Sequence, residues 1–330
     1  MYYKIFWKKS KRMRKYIECI YSGRKVTESM QLPNQWYAIA LSSEIKKKPV
    51  RLERFSQSLV LWRDASGSVV VMANACPHRL SQLHLGTLQN NRISCPFHGF
   101  QFDASGQCQW VPELQKAAPG LRIPTYPVYE SEGWIWVWWK DQPPSSKKPA
   151  WFETMGLSKK PSYRKTTWKT SMNRCIENQL DYSHLPFVHK NTIGKFAKPV
   201  HQLPKWTLDE HKIHWHFSDE EIPYIEFRFP NLWINRITKN YAITVVFVPV
   251  NEMTTEIYLN NHLPLLRIPI LGAWAGWVLN LLNQKILQED YRVVQTQKPL
   301  SSQKAQEETL FPSDRGISHF RKWLQQNEAH

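Results

Sequence analysis

Short β-branched or aromatic runs, SLVLWRD, SVVVMANA, RISCPF and EGWIWVWW, follow one another through residues 35–141, separated by Gly, Ser and Asn. Runs of this length bounded by turn residues predict strands. Asp64-Ala65-Ser66-Gly67 and Asp103-Ala104-Ser105-Gly106 have the composition of hairpin turns, because Asp can accept from its own backbone and Gly takes left-handed dihedrals at little cost. The polar, Pro-rich QPPSSKKP at 142–149 predicts a linker. Beyond it the period changes. Helical spacing runs over 170–188, alternating runs (KIHWHF, YIEFRF, YAITVVFVPV, TTEIYLNNH) occupy 205–262, and helical spacing returns over 271–297 and 314–326. The pattern predicts an all-β unit over 35–141 and, over 150–330, an α+β unit with helices against one face of an antiparallel sheet. Residues 1–34 form a basic extension whose Phe6, Met13, Ile17 and Ile20 fall loosely on one helical face.

The longest apolar run, IPILGAWAGWVLNLL at 268–282, is interrupted by Asn280 and is shorter than the ~18–20 residues a membrane span needs. It is read first as a buried helix and second as a membrane-facing one. The first 25 residues carry nine Lys or Arg and one acid but no apolar stretch with a small-residue cleavage site, so they do not read as a secretory signal.

Charge narrows the partners. The net +17 from 44 basic and 27 acidic residues favours an anionic partner, whether an acidic protein, a membrane surface or nucleic acid. Basic residues are scattered and no nucleic-acid motif is present, which argues against nucleic acid. Five cysteines at irregular spacing argue against a disulfide framework and for a reducing, cytoplasmic setting, with peripheral membrane contact left open. Cys108 and Cys175 read as small buried apolar residues.

The candidate chemistry begins in ACPHRLSQLHLGTLQNNRISCPFHGFQFD. Cys76-Pro77-His78 and Cys95-Pro96-Phe97-His98-Gly99 each supply one thiol and one imidazole from a loop between predicted strands. A structural zinc site usually pairs its cysteines on one knuckle and its histidines on a helix. The mixed pairing instead suits a [2Fe–2S] cluster whose two irons have unlike ligands. His84 fits no ligand spacing.

In NRCIENQLDYSHLPFVHKNTIG, Asp181 and His184 are spaced to share a helical face, and a kink at Pro186 is expected to bring His189 back beside His184. Two histidines and a carboxylate make a facial triad for ferrous iron with free positions for dioxygen. Asp290 is the candidate carboxylate: it falls on an otherwise apolar stripe with Ile286, Val293 and Val294. Glu289 falls between Lys285 and Arg292, a solvated ion-pair face. His214 and His216 alternate on one strand and read as satisfied polar residues.

The CPH…CPFHG pattern and the Asp181-x2-His184-x4-His189 pattern with distant Asp290 resemble the alpha subunits of Rieske non-haem iron oxygenases, the ring-hydroxylating and oxidative-demethylating group, from Trp36 to Leu324. The resemblance implies that Cys76 and Cys95 bind one iron of the cluster and His78 and His98 the other. It implies that His184, His189 and Asp290 hold a mononuclear Fe(II) in a helix-grip domain. It also implies a homotrimer, in which Asp181 links His184 to a cluster histidine of the neighbouring chain, and Asn178 at a pocket-lining position. A ferredoxin or ferredoxin-like reductase would supply electrons. O2 would be used to hydroxylate, demethylate or desaturate a small apolar or aromatic substrate, in a pocket expected between the 205–262 strands and the 268–282 helix. A non-catalytic Rieske electron carrier or redox sensor is the alternative, and it has no need of the second set of ligands.

Overall fold

The computed structural model describes residues 30, 32–139, 148–152, 162–198, 200–299, 302 and 307–328. Most of the basic extension at 1–34 and residues 142–147 of the expected linker lie outside the described residues. The described chain divides into two units, meeting near residue 145, with 32–38 grouped with the second.

The first unit is all β. Its strands are β1 (Trp36–Leu41, which begins in the neighbouring segment), β2 (Val50–Arg54), β3 (Gln57–Arg63), β4 (Val69–Ala73), β5 (Thr87–Gln89), β6 (Arg92–Ser94), β7 (Gln101–Phe102), β8 (Cys108–Trp110), β9 (Val128–Ser131) and β10 (Trp134–Trp138). β2-β3-β4 and β5-β6-β7-β8 are antiparallel meanders, and β9 pairs with β10. The expected turns close as their composition requires: Asp64 Oδ1 accepts from the Ser66 and Ser68 N–H groups, Asp103 Oδ1 from those of Ser105 and Gln107, and Gly67 and Gly106 take φ of 85° and 80°. Val60, Trp62, Met72, Leu83, Ile93 and Phe102 form one core, and Cys76, Cys95 and Cys108 are buried in it.

The second unit holds a seven-stranded antiparallel sheet in the order β11-β17-β16-β15-β14-β13-β12, from β11 (Ser162–Trp168), β12 (Lys205–Leu208), β13 (Lys212–His216), β14 (Tyr224–Arg228), β15 (Leu232–Thr238), β16 (Tyr241–Asn251) and β17 (Thr254–His262). Helices α1 (Met172–Leu180), α2 (Leu185–Val188), α3 (Leu271–Val294) and α4 (Arg315–Glu328) complete it. Ser171 caps α1 by accepting from the Arg174 N–H. The Trp233 indole N–H donates to Gln179 O and ties α1 to the sheet. Asn283 donates to Asn261 Oδ1, 2.9 Å away, and ties α3 to β17. An all-β unit and an antiparallel sheet with helices are therefore what the chain forms.

Two local expectations are corrected. The helix over 170–188 is not kinked by Pro186. It stops at Leu180, where Asp181 turns extended (φ −87°, ψ 120°) and its Oδ1 accepts from the Ser183 N–H and hydroxyl, both at 2.7 Å. Such a side-chain turn competes with the helical bond. Pro186 sits in the first turn of a new helix, α2, where its missing N–H costs nothing. The 268–282 run is not buried: its inner side is built from Gly272, Ala275 and Gly276; Ile268, Ile270, Leu271, Trp274, Trp277, Leu281 and Leu282 are exposed; and Val278 and Leu279 are half-buried.

Candidate metal centres

The two Cys/His loops are built on one hydrogen-bond plan. In the first, between β4 and β5, the Cys76 N–H donates to Ser81 O and the Leu80 N–H to Cys76 O. In the second, between β6 and β7, the Cys95 N–H donates to Phe100 O and the Gly99 N–H to Cys95 O. Leu80 and Gly99, at the same place in each loop, both adopt left-handed dihedrals, φ 59° and 70°. Each sulfur also faces two backbone N–H groups, those of His78 and Arg79 for Cys76 and those of Phe97 and His98 for Cys95. Inward N–H groups favour thiolate over thiol.

The two thiols form no disulfide and are linked by a hydrogen bond. A hydrogen bond from Cys76 pulls Cys95 down to about 5, while Cys76 is pushed up by that bond and by burial. His78 is lowered by burial and by the neighbouring His98 and Arg79, which keeps its ring neutral as a ligand requires. The His78 and His98 rings lie 4.6 Å apart, and His98 Nδ1 is buried without a hydrogen-bond partner. Two poised thiols, two close imidazoles and an orphaned buried ring nitrogen fit a [2Fe–2S] cluster better than they fit one another. His84 is instead held by Asn74, which accepts from its N–H and lies 3.0 Å from its Nδ1.

The second centre gathers His184, His189 and Asp290, each able to present one donor atom, all within 4.8 Å of one another. His184 precedes α2 and His189 follows it, so one helical turn rather than a kink sets their rings 5.3 Å apart. Gly194 holds that turn in place. Its N–H donates to His189 O, and a Cβ there would lie 2.3 Å from Leu185 O and 2.7 Å from His189 O. Asp290 comes from the inner stripe of α3, with Asn283, Leu287 and Val294; Val293 points outward.

Asp290 Oδ1 lies 2.9 Å from His189 Nε2 and 3.4 Å from His184 Nε2, yet it has no hydrogen-bond partner. Distance allows a bond and direction does not. Lone pairs that approach without facing a proton suit a cation between them, and imidazole with carboxylate is the donor set of ferrous iron.

Without a cation the charges settle among themselves. Burial lowers His184, but Asp181 and Asp290 outweigh it and hold the ring up at about 9. Burial raises Asp290, but the two histidines outweigh it and bring it down to about 2. Asp181 is likewise held low, chiefly by His184 against burial, with its Oδ2 3.5 Å from His184 Nδ1.

Glu289 is the residue that sequence reasoning missed. It is not on a solvated face: its Oε2 lies 2.8 Å from His189 Nδ1 and accepts from the Thr192 hydroxyl at 2.6 Å. The remaining sequence readings are met by ordinary partners. His214 lies 3.3 Å from Glu226, His216 bonds Ser218 O, and Cys108 and Cys175 are buried. Asn178 keeps a buried amide nitrogen without a partner.

Residues 35–127 match the model of the Rieske [2Fe-2S] domain. Chlorophyllide a oxygenase, chloroplastic, of Oryza sativa subsp. japonica is 31% identical over 66% of this chain and 39% of its own. The oxygenase component of dicamba O-demethylase from Stenotrophomonas maltophilia is 32% identical over 48% of this chain and 47% of its own. The chain thus spans about half or less of the length of these two relatives. Among solved structures, dicamba monooxygenase bound to dicamba superposes with a TM-score of 0.74 at 20% identity, covering 90% of this chain and 97% of its own. NdmA of Pseudomonas putida CBB5, a QL mutant with theobromine, gives 0.74 at 21% identity, covering 92% of each. Both show a shared fold over nearly the whole length. The chain therefore carries a Rieske [2Fe-2S] domain over residues 35–127, is similar to oxygenase components such as that of dicamba O-demethylase, and shares over nearly its whole length the fold of dicamba monooxygenase and NdmA.

Proposed function

We propose that the chain is the terminal oxygenase component of a Rieske non-haem iron system, taking electrons from a ferredoxin or ferredoxin-like reductase to hydroxylate, demethylate or desaturate an apolar or aromatic small molecule. The observation that carries this reading is the unaligned approach of Asp290 Oδ1 to both imidazoles. We assign Cys76 and Cys95 to one iron of the cluster, His78 and His98 to the other, and His184, His189 and Asp290 to the mononuclear Fe(II).

When bound, the cluster supplies single electrons and the mononuclear iron activates dioxygen. The chain's own residues hold that chemistry in shape. Glu289 accepts from His189 Nδ1 and so fixes which nitrogen faces the iron, a role carboxylates commonly play behind a ligand histidine. Asp181 stands on the Nδ1 side of His184 and is proposed to connect, in a homotrimer, to a cluster histidine of the adjacent chain. Burial of His189 and Asp290, 1% and 2% exposed, excludes water from one side of the site. Relatives whose names include chlorophyllide a oxygenase and dicamba O-demethylase support an apolar or aromatic substrate class. An acidic electron donor suits a chain of net charge +17.

An electron carrier or redox sensor would need the cluster loops alone, and the second ligand set speaks against it. The test is oxygen uptake by the chemically reduced, iron-loaded protein offered a panel of methoxylated and chlorinated aromatics. Uptake stimulated by one of them, with an oxygenated or demethylated product, supports the oxygenase. Uptake indifferent to all of them, together with no iron beyond the cluster, supports the carrier.

A further inference from the structure

Helix α3 is amphipathic in the wrong sense over its first half. A helix lying on a sheet turns large apolar residues inward and polar ones outward. Here the inner positions are Gly272, Ala275 and Gly276, and they cannot be larger: a Cβ on Gly272 would lie 2.8 Å from Leu265 O, and one on Gly276 2.7 Å from Ser162 Oγ. The small residues clamp the helix down and leave most of the large side chains outside, with only Val278 and Leu279 half-buried. Ile270, Leu271, Trp274, Trp277, Leu281 and Leu282 are 87%, 47%, 62%, 60%, 44% and 56% exposed. Ile270, Trp274, Trp277 and Leu281 recur at helical spacing as one outward stripe. The second half of the same helix is ordinary, with Lys285, Gln288 and Arg292 outside and Leu287, Asp290 and Val294 inside.

A contiguous apolar face of this kind on a folded chain marks an interaction surface. Three observations choose its occupant. From Leu263 to Gln288 the sequence contains no Asp or Glu, and its only charges are Arg267 and Lys285, one beyond each end of the stripe. Two tryptophans one turn apart present flat rings with a polar edge, the side chain that settles at the boundary between lipid headgroups and acyl chains. Ile270, a β-branched residue, takes φ 62° at the helix entry and projects an almost fully exposed side chain; for such a residue this backbone is an outlier that surrounding structure must impose. Apolar stripe, interfacial aromatics and flanking cations together are the pattern of a helix lying in the plane of an anionic bilayer. The same segment on a second copy of this chain would offer no acidic partner, and among the described residues no helix is long and apolar enough to cross a membrane.

We propose that the outward face of residues 270–282 docks on an anionic lipid surface. The inference stands apart from the oxygenase reading, because it invokes neither metal centre.

The test is co-sedimentation of the full, iron-loaded chain with phosphatidylcholine vesicles and with vesicles containing phosphatidylglycerol, alongside W274S/W277S. Phe311→Ser, at an exposed aromatic elsewhere, is the control for lost surface hydrophobicity. The wild type and the control are expected to pellet with anionic vesicles and less with neutral ones, and the double variant to bind at least about tenfold more weakly. Its cluster absorption and iron content should stay unchanged, because both tryptophans point to solvent. Equal binding by the double variant would overturn the proposal, as would a wild type that ignores both vesicles. If the wild type ignores vesicles and the double variant also dissociates on sedimentation velocity, the face belongs to a second copy and the lipid proposal fails.

Discussion

Glu289 and Asp290, adjacent on α3, bracket one imidazole: Glu289 Oε2 is 2.8 Å from His189 Nδ1, and Asp290 Oδ1 is 2.9 Å from His189 Nε2. Neighbouring residues on a helix point about a quarter-turn apart, so both can reach the ring only because it stands edge-on between them. One carboxylate faces the proposed metal position and the other is placed to accept a proton from the far side of the ring.

Glu289→Gln keeps the volume and removes the charge. Fe(II) affinity at the mononuclear site is expected to fall by about 10- to 100-fold, the usual loss when a carboxylate behind a ligand histidine is replaced. Metal titration of protein stripped of mononuclear iron measures this directly, and the cluster absorption should not change.

Removing that iron makes stability depend on pH in a set direction. Asp290 is held at about 2, below its ordinary 3.8, so its contribution is present above pH 3.8 and lost as pH falls toward 2. His184 is held at about 9, above its ordinary 6.5, so its contribution is complete below pH 6.5 and lost as pH rises through 9. Thermal unfolding of the stripped protein should therefore show Tm declining between pH 6.5 and 9. Iron binding, which must displace the His184 proton, should tighten over the same interval. In Asp290→Asn the decline should shrink.

Gly194→Ala tests the turn that positions His189. The added Cβ meets backbone oxygens of Leu185 and His189 rather than a flexible side chain, so the backbone itself must shift. Mononuclear iron should be lost or bound far more weakly, with the cluster unaffected, as iron analysis and absorption together will report.

Glu177 anchors α1 to α4. It bonds Arg174 Nη1 at 3.1 Å and Arg321 Nε at 2.7 Å, and Arg174 is 1% exposed. Glu177→Ala leaves a buried guanidinium partly unpaired, and denaturant unfolding should show a loss of about 3 kcal/mol.

What the sequence made legible was mostly chemistry held close along the chain. The two loops declare themselves through Cys, His, Pro and Gly at short spacing, and Asp290 through a charge on an apolar stripe. What it hid depends on partners distant in the chain. Glu289 looks solvated on its own helix because the wheel cannot show His189 and Thr192 arriving against it. The sequence points to Pro186 for the break that occurs at Asp181, because a proline is conspicuous and an Asp–Ser side-chain turn is not. The apolar run at 268–282 reads first as buried and second as membrane-facing, because hydrophobicity says only that a surface wants cover. The three small residues on its inner side were the better signal, since they show which side approaches the backbone closely.

The central claim is that one chain holds two separate iron centres, and Asp290→Ala tests it most directly. Iron analysis of the wild type, loaded under anaerobic conditions, should give the two cluster irons plus one more. The variant should keep the cluster irons with an unchanged visible spectrum and lose the third. A variant that retained all three, with oxygen uptake undiminished, would contradict the account.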